Sequence, residues 1–353
     1  MKIIYYIIGV FLFFACGEQR HHSSNKKEIL QGNNTPLTVK TTPLKNQGAS
    51  ELCWAYAMLA TIESEHLMMG DSVNLSPVFV ARMFLTEQAE QYYLTGGRGE
   101  ITTRGMGSTL LYLIQKYGIQ PYDYYAGKED VNFRVLTRKL KMTARTAIAQ
   151  RTGLRVFRER MNELLDEELG VVPRQVHMLG AQYSSLEFAH SVCRKDEYIA
   201  LTSFTHHPFG ETFMLEVPDN FFRDEYMNVP IDTLMNHIVG AVRNGHPVYW
   251  EGGTHHQGFD FPKGIADLNI KETTQEERQR LFETFQTTDD HSMEIIGTGR
   301  NQKGKEYFIC KNSWGKNAKG GYMLMSYDYV KMKTVAAIMT RDAWNGVNIR
   351  KNV

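Results

Sequence analysis

The sequence predicts an α+β chain of two lobes, a helical lobe first and an antiparallel, barrel-like sheet lobe last, with a helical insertion between them. Three observations predict it. Helix signals crowd residues 54 to 170, and short β-forming runs punctuated by glycine fill the last third. The residues with catalytic side chains divide between the two regions, Cys53 in the first, His291 and Asn312 in the second. A chain of 353 residues suffices for one large domain or two lobes sharing an interface. With 42% hydrophobic and 22% charged residues, it is not a disordered polymer. A formal net charge of +1 gives no overall attraction to nucleic acid or anionic lipid.

The first sixteen residues read as an export signal. Lys2 precedes an apolar run from Ile3 to Phe14, closed by Ala15-Cys16-Gly17. The run is shorter than the roughly 20 residues that cross a bilayer. Its end resembles a bacterial lipoprotein cleavage site, at which Cys16 carries the lipid and becomes the first mature residue. The expectation is an exported protein of a bacterial cell envelope, held to the membrane only through that lipid. The polar residues 17–35 read as a flexible tether. The folded region is then 36–353, with the helical lobe at about 46–125, the insertion at about 126–195 and the sheet-rich lobe at about 196–342.

Trp54 to Met69 has the apolar density of a buried helix, ended by Gly70, so Cys53 sits at its start. Ser76-Pro77 supplies an N-cap and a first-turn proline for a second helix. Gly107 to Tyr117 reads as a third, closed by Gly118. From about 131 to 170 the chain is polar and helix-prone, basic at first and acidic at its end. No aromatic residues interleave with these charges as single-strand binders need, so they read as solvated helix faces. Asp232 to Asn244 is an amphipathic helix. Pro247 to Glu251, Ser292 to Gly299, Tyr307 to Asn312, Gly321 to Ser326 and Thr334 to Thr340 read as strands.

Four cysteines are present. With Cys16 assigned to lipid and Cys53 to chemistry, Cys193 and Cys310 remain, as buried thiols or as a bridge. The histidine pairs His206-His207 and His255-His256 do not share a helix face, and neither HExxH nor CxxC occurs, so no metal is expected.

Cys53 at a helix N-terminus, facing an imidazole across a cleft, suits nucleophilic catalysis. A free thiol has a pKa of about 8.5, and the helix dipole together with a protonated His291 would hold it as thiolate at rest. Asn312 would orient the imidazole without adding charge, and Trp314 would cover that contact. Gln47 would donate its amide to a developing oxyanion, together with the Cys53 backbone N–H.

Gln47-x5-Cys53-Trp54, then Asp290-His291, then Lys311-Asn312-Ser313-Trp314-Gly315, in that order, resemble the papain-like cysteine peptidases. Asn46-Gln47, Asn74-Leu75-Ser76, Lys116-Tyr117-Gly118 followed by Pro121, and Lys319-Gly320-Gly321-Tyr322 bring the chain nearest the bleomycin hydrolase and aminopeptidase C branch. The resemblance covers roughly residues 36–342. It implies a papain-like two-lobe fold, hydrolysis of peptide or protein substrates, and no metal or organic cofactor. Among substrate-binding residues it carries over Gly105 alone; Glu51 and Trp314 are further substrate-binding candidates, from their places beside Cys53 and Asn312.

The chain departs from the family pattern in three places. Glu51-Leu52 stands where the branch has Gly-Arg, and either attracts a substrate ammonium or faces solvent. The substrate-binding Gly-Gly pair is reduced to Arg104-Gly105. Members of the branch end in an arm that enters the cleft and restricts them to N-terminal trimming, whereas little follows Thr340 here, so neither that restriction nor the branch's hexamer is implied. The principal alternative is a noncatalytic surface protein that keeps the fold to bind peptide. A transglutaminase-like acyl transferase is a weaker one, since such enzymes typically orient their histidine with Asp.

Overall fold

The computed structural model describes residues 36–178, 180–268, 273–315 and 321–350. The export signal, Cys16, the tether and Lys319-Gly320 lie outside them. Ten helices occur among the described residues: α1 Cys53–Met69, α2 Pro77–Leu94, α3 Gly107–Tyr117, α4 Phe133–Ala149, α5 Leu154–Leu169, α6 Ser185–Val192, α7 Ile231–Asn244, α8 Gln275–Glu283, α9 Tyr327–Lys333 and α10 Arg341–Trp344. The strands are β1 Leu37–Thr38, β2 Val176–Met178, β3 Ala181–Tyr183, β4 Tyr198–Thr202, β5 Thr212–Met214, β6 Glu225–Asn228, β7 Val248–Gly252, β8 Phe259–Asp260, β9 Ile265–Ala266, β10 His291–Arg300, β11 Glu306–Lys311, β12 Tyr322–Ser326 and β13 Thr334–Thr340. This is the mixed α+β architecture expected.

α1 is buried on nearly every side, as a helix through the middle of a core must be. Gly70 ends it in the left-handed conformation, at φ 90°. Its buried polar residues are all engaged. Glu63 accepts from Thr42 Oγ1 (2.6 Å) and the Leu75 amide (2.7 Å) and pairs with Lys45. The His66 ring meets the Val192 carbonyl at 2.8 Å. α2 is capped as its sequence predicts, with Ser76 Oγ accepting from the Phe79 N–H and Pro77 in the first turn. α4 and α5 turn apolar stripes inward: Leu136, Leu140, Ala144 and Ala147 from one, Phe157, Met161, Leu165 and Leu169 from the other. Several of the basic residues of this region pair with acids, as in Lys141–Glu100, Arg158–Glu90 and Lys139–Glu168, which is the solvated-face arrangement.

Eleven strands form one sheet. Its path runs β5-β6-β4-β13-β7-β10-β11-β12-β9-β8, with β1 added on β10. Most pairings are antiparallel, while β4·β6 and β12·β9 are parallel. Apolar side chains gather into two main clusters. One is built chiefly from α1 to α6 and the other from the sheet with α7 and α9. Tyr249 and Ile338 project from the sheet into the helical cluster. α1 packs on β10 and β7, so the helix that begins with Cys53 lies directly against the strand that begins with His291.

Candidate active site

Cys53 is the first residue of α1, with Leu52 as its N-cap, and is partly exposed. The unpaired amides of the first helical turn give this end a partial positive charge. The backbone N–H groups of Ser292 and Trp54 lie near the sulfur and favour its charged form. Trp54 is fully buried, donates to the Thr103 carbonyl (2.8 Å) and stacks edge-on with Phe84. That anchorage fixes the start of α1 and so the position of the sulfur.

His291 opens β10 and is buried. Its Nε2 lies 2.9 Å from Asn312 Oδ1. The Ser313 backbone N–H donates to the same Oδ1 at 2.8 Å, so this atom is an acceptor and His291 Nε2 carries the proton. Nδ1 is thereby left with a lone pair, the tautomer a general base requires. Trp314 lies 5.9 Å from the His291 ring centre, and Phe261 lies 4.2 Å from Trp314 and 5.6 Å from His291. The two aromatic rings pack beside the imidazole.

Burial pushes the Cys53 thiol up to about 12, with the nearby Glu251 and Asp219 adding to the rise against the two backbone amides. Burial likewise pulls the His291 imidazole down to about 4, against Asn312 and Asp290. Each charge is therefore disfavoured when taken singly. Among the described residues no hydrogen bond joins the sulfur to the ring. The expected ion pair would have to offset that cost through the attraction of its two members, which the same enclosure strengthens.

Gln47 is held on both ends of its amide. Its Oε1 accepts from Ser313 Oγ, and its Nε2 donates to the Ser50 carbonyl at 2.7 Å. An NH₂ group has two protons, so one donor remains for an oxyanion. The Gln47 backbone N–H also donates to the Ser313 carbonyl (2.8 Å), and Asn46 bridges Trp314, tying this loop to the Asn312 segment. Gln47→Ala is expected to lower kcat by about 10²–10³ with little change in KM. Steady-state kinetics check this, and an unchanged kcat removes Gln47 from the oxyanion role.

The remaining expected residues have the following surroundings. Gly105 lies against the Trp54 indole, where an added Cβ would come within 2.9 Å of Cε2. Its glycine identity thus follows from packing under the nucleophile's helix. Glu51 is exposed, and only a long 3.5 Å contact from Thr103 Oγ1 reaches it. Asp290 accepts from Thr288 Oγ1 (2.5 Å) and the Thr254 N–H (3.0 Å), lies 2.8 Å from His255 Nδ1, and acts on the neighbouring imidazole through its charge. Cys193 and Cys310 are both free and buried.

Three acids near Cys53 were not evident in the sequence. Glu251 sits opposite Ser292 in the β7·β10 ladder, one residue from the His291–Gly252 pair. Gly252 has no room for a side chain, since a Cβ there would meet the Lys333 carbonyl at 2.1 Å. Asp289 accepts from the Asp219 N–H (3.1 Å), and Asp219 takes Arg104 Nε on both oxygens, at 2.9 and 3.0 Å. Burial raises Asp219 to about 6 despite Arg104, and holds Glu251 well above the usual carboxylate range. A carboxylate inside the apolar run Val248-Tyr249-Trp250 was the one sequence signal for this group.

His206, His207 and Glu216 also converge, with Nε2 to carboxylate distances of 3.2 and 2.6 Å. Adjacency did not keep the two histidines apart, because they stand on a loop and not on a helix. Gln279 Oε1 accepts from the Thr205 N–H (2.7 Å), which turns its Nε2 toward His206 Nδ1 at 3.0 Å. The His206 proton is thereby fixed on Nε2, the atom an ion would need, so this trio is a hydrogen-bonded cluster.

Residues 175–345 match the Peptidase C1-like family model, a span that holds His291 and Asn312 but not Cys53. Cysteine proteinase 1, mitochondrial, of Saccharomyces cerevisiae (strain JAY291) is 24% identical over 371 residues, covering 84% of this chain and 74% of that protein. Aminopeptidase G of Lactobacillus delbrueckii subsp. lactis is 24% identical over 148 residues, covering 38% of this chain and 33% of its own length. Among solved structures, PepW from Lactobacillus rhamnosis HN001 superposes with a TM-score of 0.68 at 16% identity, covering 94% of this chain and 87% of that one. That last likeness is one of fold.

Proposed function

We propose that this chain is a papain-like cysteine peptidase hydrolysing peptide bonds through Cys53, His291 and Asn312, a reading supported by the Peptidase C1-like match over residues 175–345, by the similarity to yeast cysteine proteinase 1 and by the fold shared with PepW. One observation carries the reading. The Asn312 acceptor, its character set by the Ser313 amide, leaves His291 Nδ1 unprotonated on a strand packed against the helix that begins with Cys53.

In the reaction, Sγ attacks the scissile carbonyl carbon as its proton passes to His291 Nδ1. The carbonyl oxygen gains negative charge, and the free proton of Gln47 Nε2 and the Cys53 amide receive it. The imidazolium then gives its proton to the departing amine and the C–N bond breaks, leaving a thioester. Water, deprotonated by the neutral His291, cleaves that thioester and restores the thiol. Asn312 holds the ring throughout and transfers no proton.

Trimming from the amino terminus is the mode we infer, from the similarity to aminopeptidase G and to the bleomycin hydrolase branch. Internal cleavage is the second mode to be tested. Digestion of a mixed peptide library, read by mass spectrometry, decides between them. Single-residue ladders are expected, internal cuts would assign the second mode, and an undigested library would overturn the peptidase reading.

A further inference from the structure

We propose that Glu251, Asp289 and Asp219 form an acidic subsite beside Cys53 that takes a substrate cation, a primary ammonium or guanidinium carried next to the scissile bond. The proposal rests on the peptidase reading above and names the substrate chemistry for the same cleft.

Placement is the first argument. Residues paired across an antiparallel ladder have Cα atoms about 5 Å apart. Glu251 opposite Ser292 is therefore one strand over and one residue along from the catalytic imidazole. Asp289 lies two residues before His291 and is joined to Asp219 through the Asp219 amide. Asp219 holds Arg104, whose neighbour Gly105 packs on Trp54, the residue after Cys53. Glu251 and Asp219 also act electrostatically on the sulfur itself.

Burial and unmet bonding are the second argument. Glu251 is 1% exposed, Asp289 5% and Asp219 9%. Acids so enclosed are rarely left without cations. Arg104 bonds only Asp219 of the three, and its side chain is 43% exposed at the rim. Glu251 Oε2 accepts from the Tyr249 hydroxyl at 2.7 Å, while Oε1 takes no hydrogen bond among the described residues. The Tyr249 oxygen is already shared with Ser292 Oγ (2.9 Å) and the Gly107 N–H (3.0 Å), so it has nothing further to offer. Oε1 thus keeps its lone pairs on a group that also faces the charges of Asp289, Asp219 and Arg104. The Val-Tyr-Trp run has no packing reason to end in a carboxyl. A cation arriving with substrate would supply the missing partner, and the protonation that burial imposes on Glu251 is the state of such a site without it.

The test uses the full chain and pairs of fluorogenic peptide amides. Arginine is exchanged for neutral citrulline at each of the two residues before the scissile bond, and every peptide is made with a free and an acetylated amino terminus. The expected result is a kcat/KM about tenfold or more higher for the charged member at one of these places. That ratio should fall at least about fivefold in Glu251→Gln and in Asp289→Asn, both of which keep the hydrogen-bond acceptors already in use. A ratio is internal to each protein, so partial loss of folding cancels from it. Preference for arginine assigns the cation to a side chain, and preference for the unblocked terminus assigns it to the α-amino group. Equal rates on charged and neutral peptides in the wild type, or a ratio that survives both substitutions, would overturn the subsite alone. Failure to cleave any peptide while iodoacetamide still labels Cys53 would overturn both this proposal and the peptidase reading.

Discussion

Cys53→Ala is expected to abolish peptide hydrolysis, by about 10⁴-fold or more in kcat, while peptide binding persists. The expectation follows from division of labour around the sulfur. In the proposed mechanism Gln47, the first-turn amides and His291 all act on charge that the attack itself creates, so without Sγ they would have nothing to stabilise. Retained binding with lost turnover separates an enzyme from a peptide-binding protein of the same fold. Wild-type turnover in the variant would remove Cys53 from the mechanism. His291 sets the acid limb of the same reaction. With its pKa drawn down to about 4, the ring stays neutral and able to take a proton through pH 5 to 7. Activity should therefore fall only as the pH drops through about 4, where protonation of Nδ1 removes the base. A kcat/KM profile with its acid limb between 6 and 7 would show that the ring is not enclosed as described.

Glu63→Ala is expected to cost about 3–5 kcal/mol of stability, read from the midpoint of urea unfolding. Glu63 is fully buried in α1 and gathers three donors: Thr42 Oγ1, the Leu75 amide and Lys45 Nζ. Removing it leaves Lys45, whose pKa burial already lowers, with the Leu75 carbonyl (3.0 Å) as its remaining hydrogen-bond acceptor. The Lys45 carbonyl in turn receives the Gly315 N–H at 2.9 Å, and Gln47 lies two residues on. The substitution should thus also loosen the oxyanion loop and lower kcat in the protein that remains folded. A loss below about 1 kcal/mol would mean that water replaces the carboxylate without penalty.

These two residues mark how far the chain could be read before folding. Helix ends were legible because caps are local: Ser76-Pro77, Gly70 and Gly118 each act on the turn beside them. The five apolar strands of the last third were legible for the same reason. β4, β5 and β6 were not, because they are short runs interrupted by polar residues and loops, and their identity comes from pairing with β13 and with one another. α8, Gln275-Glu-Glu-Arg-Gln-Arg, carries too little apolar periodicity to announce itself. At the site, Cys53, His291 and Asn312 stood out because fixed neighbours accompany each. Asp219 and Asp289 carry no such flag. Only the folded chain joins Asp219 to Arg104 and to the residues before His291, so the acidic flank belongs to tertiary structure. At Gly105 the folded chain adds a second reason for glycine, the Trp54 ring against its Cα, which the sequence did not show.

The packing of α1 on β10 has a mechanical consequence. Sulfur and imidazole are mounted on elements that touch, with the Ser292 amide beside the sulfur, so a jaw-like gape along this seam would pull the reactants out of register. The Phe261 and Trp314 rings pack beside the imidazole at that seam, so prying α1 from β10 would disturb them together with the reactants.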